Sequence, residues 1–565
     1  MLSWVSPLDV WSQFVNYGFW GVRALSIIGI GIHWGILQYV LGLPFMAFIA
    51  ELIYFRTKDD DWMRIAKVLI KATAIVFALG AATGTLVEFG LITVWPRVLA
   101  AVGEWLYFPM YAEVFAFIME VLVIYMLWYA WDRLSPAARA VLTFFAFIGP
   151  WYSGAMIMAA NSYMQVPTGL VPDYNAYTGQ WLYAEGYPKI LVAIPTSIAS
   201  LLNVTTLQAL GVQIKGTTSN AVLAYVPVKI VDRLVYESFE GYTLNQSVLR
   251  LVLKSGALSD PGLASTPVLT VLNAILDTTV KYYNLYTYLF QSPDFVPSLM
   301  HSIGAGLTVS GFTVMAAFGT RLMSAKDERY RKYLEKGFKF AVVFSLIVIA
   351  YEGLIAGHEM GVTVAKYQPE KFAAIEGLGV PGFTSVAELF HTSAIEKLLA
   401  YGTLNAYLPN YGYLLGHYSS WGNISSGLGV PGTSTYLPPL IVDYTYYAMV
   451  AIGVALGIYA LILTGYVAAG RASRVHRVWM YLLIPAAVLA QFASYMGWAT
   501  REIGRLPWVV YGIMTLSDTV TVNQPPAWGV ALYSVFYVLL GLALIYIVYR
   551  FFWVPSRAER LEEVA

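Results

Sequence analysis

Residues 297–322, PSLMHSIGAGLTVSGFTVMAAFGTRL, decide the fold. About 20 mostly apolar residues in a helix cross the hydrocarbon core of a bilayer, and this stretch is long enough. It carries His301 one turn in from its start and runs into the basic residues Arg321, Lys326, Arg329, Arg331 and Lys332. An imidazole facing hydrocarbon is costly, so His301 belongs on the interior side of a helix bundle. There it either hydrogen-bonds a neighbouring helix or binds something, and the segment alone supports the two readings equally.

The rest of the chain has the same character. Its 565 residues are 58% hydrophobic and 12% charged, and the mean hydropathy is +0.62. This composition belongs to polytopic helical membrane proteins. Nine segments are long and apolar enough to span, near 20–54, 65–95, 107–131, 141–165, 297–322, 338–358, 444–470, 477–500 and 527–553. Lys and Arg crowd the connections 56–71, 133–139, 321–339 and 471–477 and the tail from Arg550, which the positive-inside rule assigns to the cytoplasm. The expectation is an all-α polytopic membrane protein of nine transmembrane helices, N-terminus outside and C-terminus cytoplasmic, with two long outer loops. Residues 1–165 supply helices 1–4, 166–296 an extracytoplasmic insert, 297–358 helices 5–6, 359–443 an outer loop, and 444–565 helices 7–9 and the tail.

The N-terminus lacks a basic n-region and a small-residue cleavage site, so the first apolar segment reads as a retained helix. In the insert, the stretches Ile190–Leu210 and Val268–Phe290 suggest a small folded cap. The second loop begins polar and turns rich in Gly, Tyr and Ser over 401–439, as an irregular lid would. Asn203, Asn245 and Asn423 each begin an N-x-S/T triplet, a pattern that also arises often by chance. A net charge of +1 gives no sign of a nucleic-acid partner. The absence of cysteine excludes disulfides, thiolate-ligated haem, cysteine-held iron–sulfur clusters and cysteine zinc sites. A tightly bound metal must use His, Met, Tyr or carboxylate.

The intramembrane polar residues are few. His33 lies in 24–50, with Arg23 just before it. Glu113 and Glu120 are seven residues apart, close to two helical turns, and so share one face, which fits a proton relay or a cation site better than packing. Glu88 and Glu352 read as simple helix-end carboxylates, and Glu502, between Arg501 and Arg505, as a helix-end ion pair. His301 and Met449 each sit about a turn inside helices that start from the outer side, so they share a depth. A His/Met pair is an axial set for low-spin haem, although a lone methionine is more often packing.

Several strings resemble one family. They are HWGILQYVLGLPFMAFIAE at His33, FALGAATG and VEFG over 77–90, AEVFAFIME followed by WDRLSP, AANSYMQVPTG at 159–169, MHSIGAGLTVSG at 300–311, HEMG, KFAAIE at 371–376 and GWATREIGRLPW at 497–508. In order and spacing they are similar to subunit I of the cytochrome bd-type quinol oxidases, over Arg23 to about Trp508 without the insert. The resemblance implies that His33 is a ligand in the two-haem oxygen site, with Arg23 nearby. It implies that His301 and Met449 are the axial ligands of a low-spin haem b. Glu502 matches the glutamate ligand of the second oxygen-site haem, Arg505 the arginine of the same motif, and Glu113 and Glu120 the paired glutamates of proton delivery. Lys371 and Glu376 match the quinol-binding pair. High-spin haem b and haem d or an equivalent would occupy the oxygen site. A second membrane subunit (subunit II or a homologue), membrane quinol and dioxygen are the implied partners, in the cell membrane of a prokaryote.

Three departures stand out. Tyr447 occupies the position of the family's arginine two residues before the methionine, the Glu113–Glu120 interval is one residue short, and the insert is unusually long. Two other readings compete with a quinol oxidase: a diverged bd-like haem protein with altered haems or another electron acceptor, and a transporter or channel using Glu113 and Glu120. The last leaves His33, His301, Met449, Glu502 and KFAAIE unexplained.

Overall fold

The computed structural model describes residues 22–553 except 95, 168–169, 172–173, 182–188, 197–211, 218, 220, 228–289, 419–436, 507, 512–513 and 516–526. Four long helices come first: α1 (Val22–Thr57), α2 (Asp60–Val94), α3 (Pro96–Ala130) and α4 (Pro136–Gln165). After the insert follow α5 (Phe295–Ser324) and α6 (Glu328–Tyr351), the latter continued by a π-helical turn (Glu352–Ala356) into α7 (Gly357–Tyr367). Short helices α8 (Pro369–Glu376), α9 (Val386–Phe390), α10 (Ser393–Tyr401) and α11 (Tyr411–Tyr418) lie in the connection that follows. The chain closes with α12 (Ile441–Ala468), α13 (Arg477–Tyr481), α14 (Leu483–Ile503) and α15 (Ala527–Trp553).

Local chemistry sets the helix ends. Lys58 takes a left-handed φ of 56°, which reverses the chain between α1 and α2 within two residues. Ser135 caps α4 by accepting from the Ala138 N–H at 3.2 Å, with Pro136 at the first helical position. Asp327 caps α6 through the Tyr330 N–H at 2.6 Å.

Among the described residues, eight helical stretches are long and apolar enough to cross a membrane. The sixth runs unbroken from Glu328 to Tyr367, past the boundary at 358 read from the sequence, so 359–367 is helix and not loop. The segment near 477–500 folds as α13 and the 21-residue α14, which is not one of those eight. Polar Gln491, Ser494, Thr500, Arg501 and Glu502 dilute its apolar character.

The chain is mostly helical but not all-α. Within the insert, β1 (Leu170–Val171), β4 (Lys189–Pro195), β6 (Ala221–Pro227) and β5 (Gln213–Thr217) form an antiparallel sheet in that order. Ile190 pairs with Val226, Val192 with Ala224 and Ile194 with Val222, and Ile194, Ala224 and Val226 are fully buried. A short apolar run does not tell strand from helix by periodicity alone; pairing with a second such run decides it. Hairpins β2 (Tyr174–Asn175)–β3 (Gln180–Trp181) and β7 (Trp508–Val510)–β8 (Met514–Thr515) complete the strands. The apolar stretch 268–289 and the triplets at Asn203, Asn245 and Asn423 lie outside the described residues.

Helix α5 is buried along most of its length, whereas α15 has almost no buried residues. Where α5 crosses α1, small residues set the approach. A Cβ on Gly42 would run into the Ser310 side chain and come within 2.7 Å of the Gly306 carbonyl oxygen. The Ser310 hydroxyl donates to the Gln38 carbonyl at 3.0 Å across the same crossing. Forcing extra atoms into such packing costs about 1–3 kcal/mol. Gly42→Ala is therefore expected to lower the melting temperature of the detergent-solubilised protein. Gly453→Ala, where a Cβ meets nothing within 4 Å, should not. Equal melting temperatures for the two variants would mean that the crossing is not tightly packed.

Candidate functional site

The site is arranged around α14, whose successive residues reach different neighbours. Gly497 comes first. A Cβ there would sit 2.7 Å from the Met449 Sδ and 4.0 Å from the His301 Nε2, so α12 and α5 bring sulfur and imidazole nitrogen to the same point. One turn on, the Thr500 hydroxyl donates to that of Thr445 at 2.8 Å, fixing α12 one turn before Met449. Arg501 ties down the start of α5, donating to Asp294 Oδ2 at 2.8 Å and to the Ser298 hydroxyl at 2.6 Å, and it also reaches Asn161 Oδ1 at 2.7 Å. His301 and Met449, expected at a common depth, are thus brought together by the glycine and threonine of a third helix.

His33 lies on α1 against α2. Its Nδ1 is 2.9 Å from the Thr83 hydroxyl, and its Nε2 would be 3.5 Å from a Cβ on Gly84, so the small residue leaves room beside that nitrogen. The Tyr495 hydroxyl of α14 occupies the space that a Cβ on Gly35 would need, two residues from His33, and Trp34 Nε1 donates to Ser494 at 3.0 Å. Tyr495 therefore packs on the Gly35 side of α1, whereas the His33 ring turns to Thr83 and Gly84 of α2. The backbone of Arg23 belongs to α1, but its side chain lies outside the described residues.

Glu502 is not a simple exposed ion pair. Its Oε2 accepts from Arg505 at 2.6 Å and its Oε1 from Asn161 at 3.0 Å and Gln165 at 3.4 Å, and the Glu502 and Arg505 side chains are only 23% and 10% exposed. Two of the guanidinium nitrogens of Arg505, Nε and Nη1, have no partner among the described residues.

Lys371 and Glu376 lie on α8, which starts on Pro369 and ends on Gly377 in the left-handed conformation at φ 61°. A solvent-facing loop is not what surrounds them: Lys371 is 1% exposed and Glu376 0%. The Lys371 Nζ donates to the Arg501 carbonyl at 3.1 Å and to Gln165 Oε1 at 3.3 Å, which joins it to the Glu502 group. Burial, and then the Arg501 guanidinium, push the lysine down to about 7. Glu376 faces the other way. Neither of its oxygens has a hydrogen-bond partner among the described residues, and burial followed by the Glu396 and Asp443 carboxylates raises it well above the usual carboxylate range. Tyr447 stands beside this group, its hydroxyl 3.0 Å from that of Thr392.

Glu113 and Glu120 both face α4. Glu113 Oε1 accepts from Ser153 at 3.0 Å, and a Cβ on Gly149 would be 2.6 Å from the Glu120 Cγ. Glu88 reaches Glu113 from α2 and so is no isolated helix-end carboxylate. Glu352 is not one either, since its Oε1 is 2.8 Å from the His301 Nδ1. Sequence reasoning gave no role to Asn161, Gln165, Asp294 or Gly497, and placed Arg501 only as a flank of the Glu502 ion pair. Asn161 and Gln165 stand within AANSYMQVPTG, and Gly497 and Arg501 within GWATREIGRLPW, but only the packing of α4, α5 and α14 reveals their partners.

Long apolar helices that enclose buried carboxylates and cations, with a histidine and a methionine side by side against one glycine, are those of a multi-pass membrane protein. The chain belongs to the cytochrome bd terminal oxidase subunit I family, whose model matches residues 22–223 and 264–554. It is 23% identical over 547 residues to the putative cytochrome bd menaquinol oxidase subunit I of Bacillus subtilis (strain 168), covering 94% of this chain and 96% of that one. It is 22% identical over 534 residues to the cytochrome bd ubiquinol oxidase subunit 1 of the same organism, covering 92% and 90%. The solved bd oxidase of Geobacillus thermodenitrificans shares the fold, with a TM-score of 0.61 at 19% identity over 94% of this chain and 97% of that one. The chain is thus an oxidoreductase subunit of a terminal oxidase, and the family implies haem cofactors. The donor set fits one such group at His301 and Met449, because a nitrogen and a thioether sulfur face one glycine-lined point. At His33 the nitrogen beside Gly84, which has no hydrogen-bond partner among the described residues, also fits, since the other ring nitrogen is engaged by Thr83.

Proposed function

We propose that this chain is the quinol-oxidising, dioxygen-reducing subunit of a membrane terminal oxidase, working in the cell membrane of a prokaryote beside a second membrane subunit (subunit II or a homologue). The convergence of the Met449 Sδ and His301 Nε2 on Gly497 carries this reading. His301 and Met449 would hold a low-spin haem b. His33 and Glu502 would hold the oxygen-site pair, high-spin haem b and haem d or an equivalent, with Arg23 and Arg505 beside them. When bound, these groups supply one-electron transfer and the iron chemistry of oxygen reduction.

The chain's own residues bind quinol and move protons. Nine helices cross the membrane, α14 included, with the N-terminus and both long loops outside and the C-terminus in the cytoplasm. Lys371 and Glu376 bind the quinol at the outer face. A carboxylate held above its ordinary range is a proton acceptor better matched to a quinol hydroxyl than an ordinary one. Glu120 and Glu113, facing α4 together, pass protons inward from the cytoplasm. Electrons and protons thus reach the oxygen site from opposite sides, and the proton motive force arises without a pump.

A dithionite-reduced minus oxidised spectrum with quinol-driven oxygen consumption tests the reading: several haem signals and turnover support it. Tyr447, in place of the family's arginine, favours the second reading of a diverged haem protein, which haem without quinol-driven oxygen consumption would support. For the quinol site, the Lys371→Ala, Glu376→Ala double variant is expected to lose quinol turnover by about 10²-fold or more while retaining haem. Full turnover in it would move the substrate site elsewhere.

A further inference from the structure

The His301 imidazole presents its two nitrogens to different elements. Nε2 faces Gly497 and Met449, while Nδ1 lies 2.8 Å from Glu352 Oε1. Glu352 owes its position to an irregularity. Between α6 and α7 the helix widens into the π turn Glu352–Ala356, which begins at this residue. Such turns insert an extra residue and re-aim the side chains around it. On the facing helix a small residue makes the space, because the second carboxylate oxygen of Glu352 occupies the place that a Cβ on Gly304 would take. Gly304 is one turn beyond His301 on α5. A π turn on one helix and a glycine on the other thus form a seat for one carboxylate against one ring nitrogen. The seat is largely enclosed, with the Glu352 side chain 13% exposed.

We propose that Glu352 is a positioning residue for His301, accepting the Nδ1 proton, fixing the tautomer that leaves the Nε2 lone pair facing Met449, and lowering the reduction potential of the group held there. The inference rests on the reading of His301 and Met449 as an axial pair. Ligating histidines commonly give their second ring N–H to a carboxylate, which holds the ring and makes it a stronger donor. A stronger donor with a negative charge behind it favours the oxidised, more positive state. Arg501, itself paired with Asp294, opposes this, since its charge also bears on His301. Glu352 therefore offsets part of what the thioether ligand and Arg501 do to raise the potential.

The test is a redox titration of the low-spin band in the purified oxidase. Glutamine keeps an acceptor oxygen but removes the charge. In Glu352→Gln the band should persist, and its reduced-to-oxidised ratio at a fixed ambient potential should rise about tenfold, which for one electron is about 59 mV upward. Gly304→Ala serves as a second variant: its Cβ displaces the carboxylate without removing it, and the shift should have the same sign. An unchanged potential in whichever of the two variants retains the band, or a downward one, overturns the proposal. His301→Ala separates this from the underlying reading. If that variant retained the low-spin band, the axial pair itself would be wrong; if the band is lost there while Glu352→Gln leaves the potential unmoved, only the role of Glu352 falls.

Discussion

His301→Ala and Met449→Leu are each expected to abolish the low-spin haem b signal while most other haem absorbance survives. The two donors come from different helices, α5 and α12, and meet only across Gly497 of α14. A low-spin iron needs both axial ligands, so loss of either should remove the whole band. Leucine in place of methionine preserves volume and costs less than about 1.5 kcal/mol in a packed interior, so a spectral loss in Met449→Leu would not come from unfolding. An unchanged low-spin spectrum in either variant would sink the pairing.

Glu502→Ala carries the next largest effect, loss of a high-spin haem signal with oxygen reduction, while Tyr495→Phe should retain both. The carboxylate competes with a structural role. Were it an exposed helix-end pair, its removal would cost only about 0–1 kcal/mol. Here Arg505 is 8% exposed, and removing its partner leaves a buried guanidinium uncompensated, a loss of about 3–5 kcal/mol. Stability alone therefore does not separate ligand from ion pair, but the spectrum does. A destabilised protein with its high-spin band and oxygen reduction intact would make Glu502 structural. Loss of the band in Tyr495→Phe alone would move ligation to the phenol, whose hydroxyl lies against Gly35 of α1.

Much of this protein was legible in its sequence because a bilayer restricts the choices. Backbone groups in hydrocarbon must be satisfied internally, so long apolar runs are helices, and eight of the nine read in this way meet the length and hydropathy of a span among the described residues. His33, His301, Glu113 and Glu120 stood out because ionisable groups are rare in such runs. The sheet of the insert was not legible, since strands β4 and β6 are short and gain their meaning only from pairing with each other. Nor was the burial of Lys371 and Glu376, for a polar loop sequence does not say which of its helices turn inward.

The sequence by itself determined the class, eight of the nine apolar spans it suggested, and the residue types available to bind. Each of these follows from local composition and from the cost of polar groups in lipid. Tertiary structure alone decided which residues meet. That Gly497 lies beside both His301 and Met449, that Arg501 holds Asp294 and Ser298, and that Glu352 reaches the Nδ1 of His301 depend on helix crossings and a π turn. Hydrophobic periodicity fixes the face that a helix buries, whereas partners far apart in sequence are chosen by the packing of small residues where helices cross.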